Sequence, residues 1–334
     1  MVEFAGYEMP LQFRGIIAEH TACRTGAALF DVSHMGQAEI VDAAALEAVV
    51  TGDIRGLAPG RQRYTLLMNE AGGIVDDLMV ANLGDRFQLV FNASRKEDDL
   101  AHLRAHGVTV VPKFARALLA LQGPQAAALL PEAAGQRFMD AADVTIAGIA
   151  CVVSRSGYTG EDGFEIGCEP AQAEALAEFL VRRGAVPAGL GARDSLRLEA
   201  GLCLYGNEID AETNPIEANL AWAIGKRRKT DWDFLGATLV RAMQERGAAR
   251  QLVGIRLEGR APARAGAEIC SVDGRPIGRV TSGGFAPSLN APIALGYVHT
   301  EFAAAGMALA LIVRGQKLPG IVAKLPFIPH RYVR

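Results

Sequence analysis

Residues 69–80, NEAGGIVDDLMV, set a glycine pair beside an apolar stretch that two adjacent carboxylates interrupt. Gly72 and Gly73 let the chain reverse without steric cost, and Ile74, Val75, Leu78, Met79 and Val80 carry strand-forming side chains. A hairpin is the structure these residues predict. Successive side chains on a strand face opposite ways, so Asp76 and Asp77 cannot share one environment: one meets solvent or a turn, the other a core or cavity. On the residues alone, turn chemistry explains the pair as well as catalysis does, because Asp near a hairpin commonly hydrogen-bonds its own backbone.

At 334 residues the chain exceeds a usual single domain, and two or three domains are expected. Lys and Arg total 34 against 37 Asp and Glu, a net charge of −3 that gives no overall attraction to nucleic acid or to an acidic membrane. No apolar run approaches the roughly 18 residues needed to span a bilayer. The opening MVEFAGYEMPLQF lacks both a basic n-region and an apolar h-region. The expectation is a soluble, cytoplasmic protein without nucleic-acid or membrane partners. Cys23, Cys151, Cys168, Cys203 and Cys270 form no CxxC pair, which argues against a disulfide framework and an iron–sulfur cluster. His102 and His106 could share a helix face, but two histidines make no zinc set. The cysteines read as reduced core thiols, the histidines as surface residues, and no metal is expected.

Along the chain, Ile16, Ile17 and His20 have helix spacing, and Ala27, Leu29, Phe30 and Val32 form an extended run ending at the turn of residues 33–36. A short helix is predicted over 43–50, strands over 63–68 and 86–92 with Asn92 closing the second, a charged helix over 94–106, and β structure over 108–111 and 144–155, while residues 117–122 run into Gly123-Pro124, after which helical character resumes over 125–130. Helices follow over 171–183, 192–200 and 236–246, the first closed by Arg182, Arg183 and Gly184. This order, with its antiparallel hairpins, indicates an α+β fold. From Gln251 onward short strands alternate with turns, over 251–257, 268–272, 277–282, 293–298, 308–313 and 320–325, and predict a separate small barrel or sandwich beginning near residue 248.

A second conspicuous stretch is GYTGEDGFE, residues 157–165. Its glycines fix an irregular loop but match neither a dinucleotide fingerprint nor a Walker loop, and Glu161 and Asp162 would repel phosphate. Tyr158 and Glu165 could instead receive a flat heteroaromatic, by stacking and by paired hydrogen bonds to amidine-like N–H groups. A surface loop with an ordinary ion pair is the plainer alternative. Arg193 is either a solvated residue near a helix start or a fork that binds a carboxylate or orients Glu165. Residues 226–229, KRRK, read as a solvated basic face able to attract an acidic partner.

The stretches FAGYEMPLQF, LFDVSHMGQ, NEAGGIVDDLMV, LALQGP, SGYTGEDGFEI, GLGARDSLRLEAGLCLYG and IGRVTSGGFAPSL, with KLPFIPHRY near the end, closely resemble the aminomethyltransferase (T-protein) family of the glycine cleavage system. The resemblance implies a three-domain cloverleaf: two interleaved α+β subdomains over residues 1–247 and a C-terminal small β-barrel over 248–334, with tetrahydrofolate as co-substrate in the central opening. It also implies that the family's N-terminal segment begins ahead of Met1. The implied reaction transfers an aminomethyl group from the lipoyl arm of H-protein to tetrahydrofolate, giving 5,10-methylenetetrahydrofolate and ammonia. Expelling the thiolate leaves an iminium-like cation, which a fixed carboxylate in a water-poor cavity stabilises. The resemblance assigns that carboxylate to Asp77 and leaves Asp76 to support the turn. It further implies folate-binding roles for Glu165, Arg193 and Tyr332, with Tyr64 and Tyr158 as aromatic lining, and Asn92 is grouped with them. A monomer is expected, and the acidic character of H-proteins suggests docking at residues 226–229. Two alternatives stay open at this point: a demethylating folate enzyme of the same fold, and a folate-binding iron–sulfur maintenance factor, faintly echoed by GLCLYGNE at Gly201 to Glu208.

Overall fold

Apolar residues at alternate positions give the first sheet two buried faces in a computed structural model that describes residues 1–334. Six strands lie in the spatial order Ala141–Ile146, Ile149–Ser154, Gly163–Cys168, Ala117–Gln122, Ala28–Asp31 and Val186–Pro187. Leu29, Leu119, Leu121, Phe164 and Ile166 point to one side, where Leu176 and Leu180 of helix Ala173–Arg182 cover them. Ala28, Phe30, Leu118 and Ala120 point to the other, against helices Ile16–Thr25 and Leu190–Glu199.

The second sheet is built wholly within an excursion of the chain between Asp31 and Ala117. Its five antiparallel strands run in the order Arg61–Met68, Ile74–Asn82, Phe87–Phe91, Gly36–Ile40 and Val110–Pro112. Because the chain leaves the first sheet, completes the second and then returns, the two α+β units interleave. Helices Ala43–Val49 and Lys96–Ala105 cover one face through Leu46, Val49, Leu100 and Leu103. The opposite face carries Leu66, Met68 and Ile74, which pack against Ile209, Ala218, Leu220 and Phe234.

The remaining strands close a barrel in the order Arg250–Leu257, Ala291–His299, Pro276–Ala286, Glu268–Cys270, Ala308–Val313 and Gln316–Ala323. The α+β class with a C-terminal barrel is thus as expected. Local boundaries differ where glycine misleads. The predicted 277–282 strand runs on to Ala286, because Gly283 and Gly284 pair with Ala294 and Ile293 beyond a register shift at Val280/Ser282. The single stretch 144–155 is two strands, split by Ala147 and Gly148, both at positive φ. Glu165 lies on strand Gly163–Cys168, not in an irregular loop.

Buried ion pairs on the α+β side of the seam hold the barrel through hydrogen bonds to its serines. Arg24 bonds Glu161 and Glu199, each at 2.8 Å, and Glu199 accepts from Ser288 of the barrel at 2.7 Å. Arg197 bonds Glu208 at 3.0 Å and donates to barrel Ser282 at 2.9 Å. Removing one partner of such a buried pair costs about 3–5 kcal/mol, whereas an exposed pair such as Arg241–Glu245 contributes about 0–1 kcal/mol. The seam thus combines serine hydrogen bonds to these buried charges with an apolar contact of Leu198 against Leu252, Ile293 and Leu295. His20, which bonds Ser195 and Ser288 across it, is buried, as is His34; neither is the surface histidine expected.

The glycine hairpin is docked as well as turned. Gly72 has φ +75°, and a Cβ on Gly73 would stand 1.9 Å from the Ala211 carbonyl oxygen. Asn69 ties the two segments, accepting from Gly73 N at 2.9 Å and donating to Ala211 O at 2.8 Å. Gly73→Ala is expected to destabilise the fold by about 1–3 kcal/mol through forced backbone movement. An unchanged midpoint in urea denaturation would contradict this docking.

Candidate active site

Pairing of Arg61–Met68 with Ile74–Asn82 sets Leu66 opposite Asp77 and Tyr64 opposite Met79, so Tyr64, Asp77 and Met79 share a face. That face lines a cavity of about 1610 Å³ bounded by both sheets, the barrel and the C-terminal residues. Asp77, Tyr64, Asn92, Tyr158, Glu165, Arg193 and Tyr332 all line it. These residues come from distant parts of the chain, yet they meet in one space.

Asp77 sits within hydrogen-bonding reach of Tyr64 and accepts from Asn92 Nδ2 at 2.7 Å. Burial, followed by the charge of Asp76, pushes its carboxyl from 3.8 up to about 7, against the lowering effect of these donors. Asp76 projects from the other face and is fully buried beneath helix Lys96–Ala105, which corrects the expectation that it supports the turn. It accepts from Asn92 N at 3.0 Å and Nδ2 at 2.8 Å. Asn92 thus clamps both carboxylates from the end of strand Phe87–Phe91, where the chain leaves the ladder. With its Nδ2 engaged twice, only its carbonyl oxygen is left for a ligand.

Across the cavity, Arg193 lies over the Tyr158 ring at 4.8 Å. Burial lowers the pKa of Arg193, and the nearby Glu165 opposes that shift. Its Nη1 is buried and meets no acceptor in the protein. Glu165 accepts from Ser156 Oγ at 2.9 Å, and Tyr158 donates its hydroxyl to the Cys203 carbonyl. Tyr332 stacks on Phe138 with 4.0 Å between ring centres. An unpaired guanidinium donor, a carboxylate and aromatic walls make a site for a flat, polar heteroaromatic.

Sequence reasoning missed several lining residues. Trp222 stacks on Tyr64 at 5.1 Å, and Tyr205 holds Arg95 over its ring at 5.1 Å. His34 lines the cavity with Nδ1 unpaired, and burial lowers its pKa to about 4, so it stays neutral near pH 7. The available signals were weak: one of only two tryptophans, and a histidine in the SHMG turn. The basic run is also corrected. Arg228 is buried against Glu47 and Asp233, and Arg227 bonds Glu47, Asp53 and Asp231, so Lys226 and Lys229 alone lack such pairing. Residues 226–229 are a structural clamp more than a docking face.

A carboxyl raised from 3.8 to about 7 binds its proton more tightly in the folded chain, so the stability it contributes falls as pH climbs through that interval. Asp77→Asn removes this dependence. The variant should gain stability relative to wild type as pH rises from about 4 to about 7, measured by urea denaturation; a gain that does not grow across the interval would contradict the buried setting of Asp77.

The family models for the GCVT N-terminal domain and the glycine cleavage T-protein C-terminal barrel domain match residues 1–228 and 250–328. A mitochondrial aminomethyltransferase of Solanum tuberosum is 42% identical over all of this chain and 87% of its own length. An aminomethyltransferase of Rubrobacter xylanophilus is 43% identical, over 98% of this chain and 90% of its own. The crystal structure of the glycine cleavage system aminomethyltransferase T from Bartonella henselae superposes with a TM-score of 0.94 at 41% identity, covering 100% of this chain and 95% of that one. A similarity that spans both matched domains and the whole cavity places this chain in the aminomethyltransferase (T-protein) family of the glycine cleavage system.

Proposed function

We propose that this aminomethyltransferase of the glycine cleavage system takes its one-carbon unit from the lipoyl arm of H-protein and delivers it to tetrahydrofolate held in the cavity, with Asp77 as the catalytic carboxylate. The observation that carries the proposal is the placement of Asp77, a carboxyl raised to about 7, in the same cavity as the Tyr158, Glu165 and Arg193 group. A volume of about 1610 Å³ exceeds the roughly 300–1,000 Å³ of a site for one small molecule, and so leaves room for two reactants to meet.

Glu165 accepts the pterin's amidine-like N–H groups, and the free Nη1 of Arg193 donates to a pterin acceptor. Tyr158, Tyr332 and Tyr64 wall the space, and Asn92 offers its carbonyl oxygen. Bound folate supplies the two nucleophilic nitrogens. Transfer breaks the carbon–sulfur and carbon–nitrogen bonds of the aminomethyl thioether and forms two bonds to those nitrogens. The two hydrogens they lose end on the lipoyl thiol and on ammonia. Asp77, ionised above about pH 7, stabilises the cationic carbon as the thiolate departs and relays the proton shed by the attacking nitrogen. Residues 1–247 are the folate-binding region and 248–334 the barrel domain, in a monomer of the cytoplasm. GLCLYGNE serves as cavity wall, with Glu208 paired to Arg197 and the Cys203 carbonyl bonded by Tyr158.

The deciding assay is ammonia release from aminomethylated H-protein with and without tetrahydrofolate. Wild type should accelerate with folate, and its rate should fall as pH drops below about 7. Asp77→Asn should lose about 100-fold or more in rate while keeping folate affinity, and Glu165→Ala should weaken folate binding in calorimetry. A near wild-type rate for Asp77→Asn would overturn its assignment; unchanged folate affinity for Glu165→Ala would overturn that of Glu165.

A further inference from the structure

Behind Asp77 lies a carboxyl that no step above uses. Asp99, in the first turn of helix Lys96–Ala105, is fully buried, lies within hydrogen-bonding reach of Asp76, and finds no donor among the protein's other groups for either oxygen. The nearest cation, Arg95, keeps its Nε 3.9 Å away and spends Nη1 on Asp98 at 2.7 Å. Asp76, in contrast, receives the Asn92 backbone and side-chain N–H groups. Two buried carboxyls in contact cannot both hold a charge. The donors gather on Asp76, so the charge is best satisfied there and the proton belongs to Asp99.

We propose that Asp99 is a positioning residue: its protonated carboxyl donates to Asp76, and the anchored Asp76 fixes the Asn92 amide that orients Asp77 in the cavity. The chain of contacts is Asp99 to Asp76, Asp76 to Asn92, and Asn92 to Asp77. It also sets the charge next to Asp77. The titratable groups facing Asp77 are Asp76 beside it, Tyr64 on the adjoining strand, and Tyr158 and Cys203 across the cavity. Burial raises the pKa of Tyr64, Tyr158 and Cys203, which keeps them neutral, so Asp76 alone among them presses on Asp77 with a charge. The groups facing the Asp76–Asp99 pair are Arg95, Asp98 and Tyr205. Without the Asp99 donor, Asp76 takes up the proton itself, Asn92 loses its ionic anchor, and Asp77 is relieved of a neighbouring anion.

The kinetic arm rests on the proposed transferase role of Asp77; the spectroscopic arm does not. Infrared spectra of the wild-type protein at about pH 8, above the titration of Asp77, should contain the carbonyl band of a buried protonated carboxyl, and Asp99→Asn should remove it. Absence of that band, or its persistence in Asp99→Asn, would overturn the proposal even if the protein moved no aminomethyl group. In the ammonia-release assay, Asp99→Asn preserves an N–H donor to Asp76 and should stay within about twofold of wild-type kcat, with the same acid limb in its pH–rate profile. Asp99→Ala should lose about tenfold or more in kcat at constant KM for folate and move the acid limb to lower pH. Equal behaviour of the two variants, or an unmoved acid limb in Asp99→Ala, would also overturn it.

Discussion

The pleat of strand Ile74–Asn82 is the constraint on which the site depends. Because neighbouring side chains leave a strand on opposite faces, one aspartate enters the cavity and the other enters the core beneath helix Lys96–Ala105. A one-residue slip would exchange their surroundings and push Leu78 out of the core. Register therefore decides which aspartate the cavity receives. The docked glycine turn fixes it at one end, together with the irregularity at Leu67/Met68. Asn92 fixes it a little further along the same strand, holding both carboxylates where the pairing with strand Phe87–Phe91 stops.

From that strand outward the cavity is assembled by elements that fold for their own reasons. Helix Leu190–Glu199 buries Ala192 and Leu196 against the first sheet and thereby brings Arg193 to Tyr158. Strand Gly163–Cys168 buries Phe164 and Ile166 in the core, so Glu165 between them must point the other way, into the opening. The barrel is pinned by Arg24, Arg197, Glu199 and Glu208, and supplies a wall. Opposite charges then face each other across a space with aromatic sides. In such a setting electrostatic effects are stronger than in water, and preorganised groups need little rearrangement during reaction.

Much of this was legible in the residues. The hairpin, the opposed faces of Asp76 and Asp77, the helix over residues 171–183 and the strand-rich end after residue 248 follow from periodicity and glycine placement. The roles proposed for Asp77, Glu165 and Arg193 needed the family resemblance, because turn chemistry and ordinary ion pairs fit the same residues. What escaped notice was tertiary. Nothing local to Asp76 says that a helix will cover it. Asp99 looks like one charge among several in a polar helix until that helix turns it inward. Arg228 belongs to a basic run by sequence but is buried against Glu47, 181 positions away. Gly157, Gly160 and Gly163 suggested a loop through to Glu165, yet Gly163 begins a strand whose partners lie elsewhere in the chain.

The most direct measurement is a crystal structure of this protein with tetrahydrofolate bound. The pterin should lie within hydrogen-bonding distance of Glu165 and Arg193, with the reacting nitrogens turned toward Asp77. A pterin bound outside this cavity, or one whose reacting nitrogens face away from Asp77, would contradict this placement.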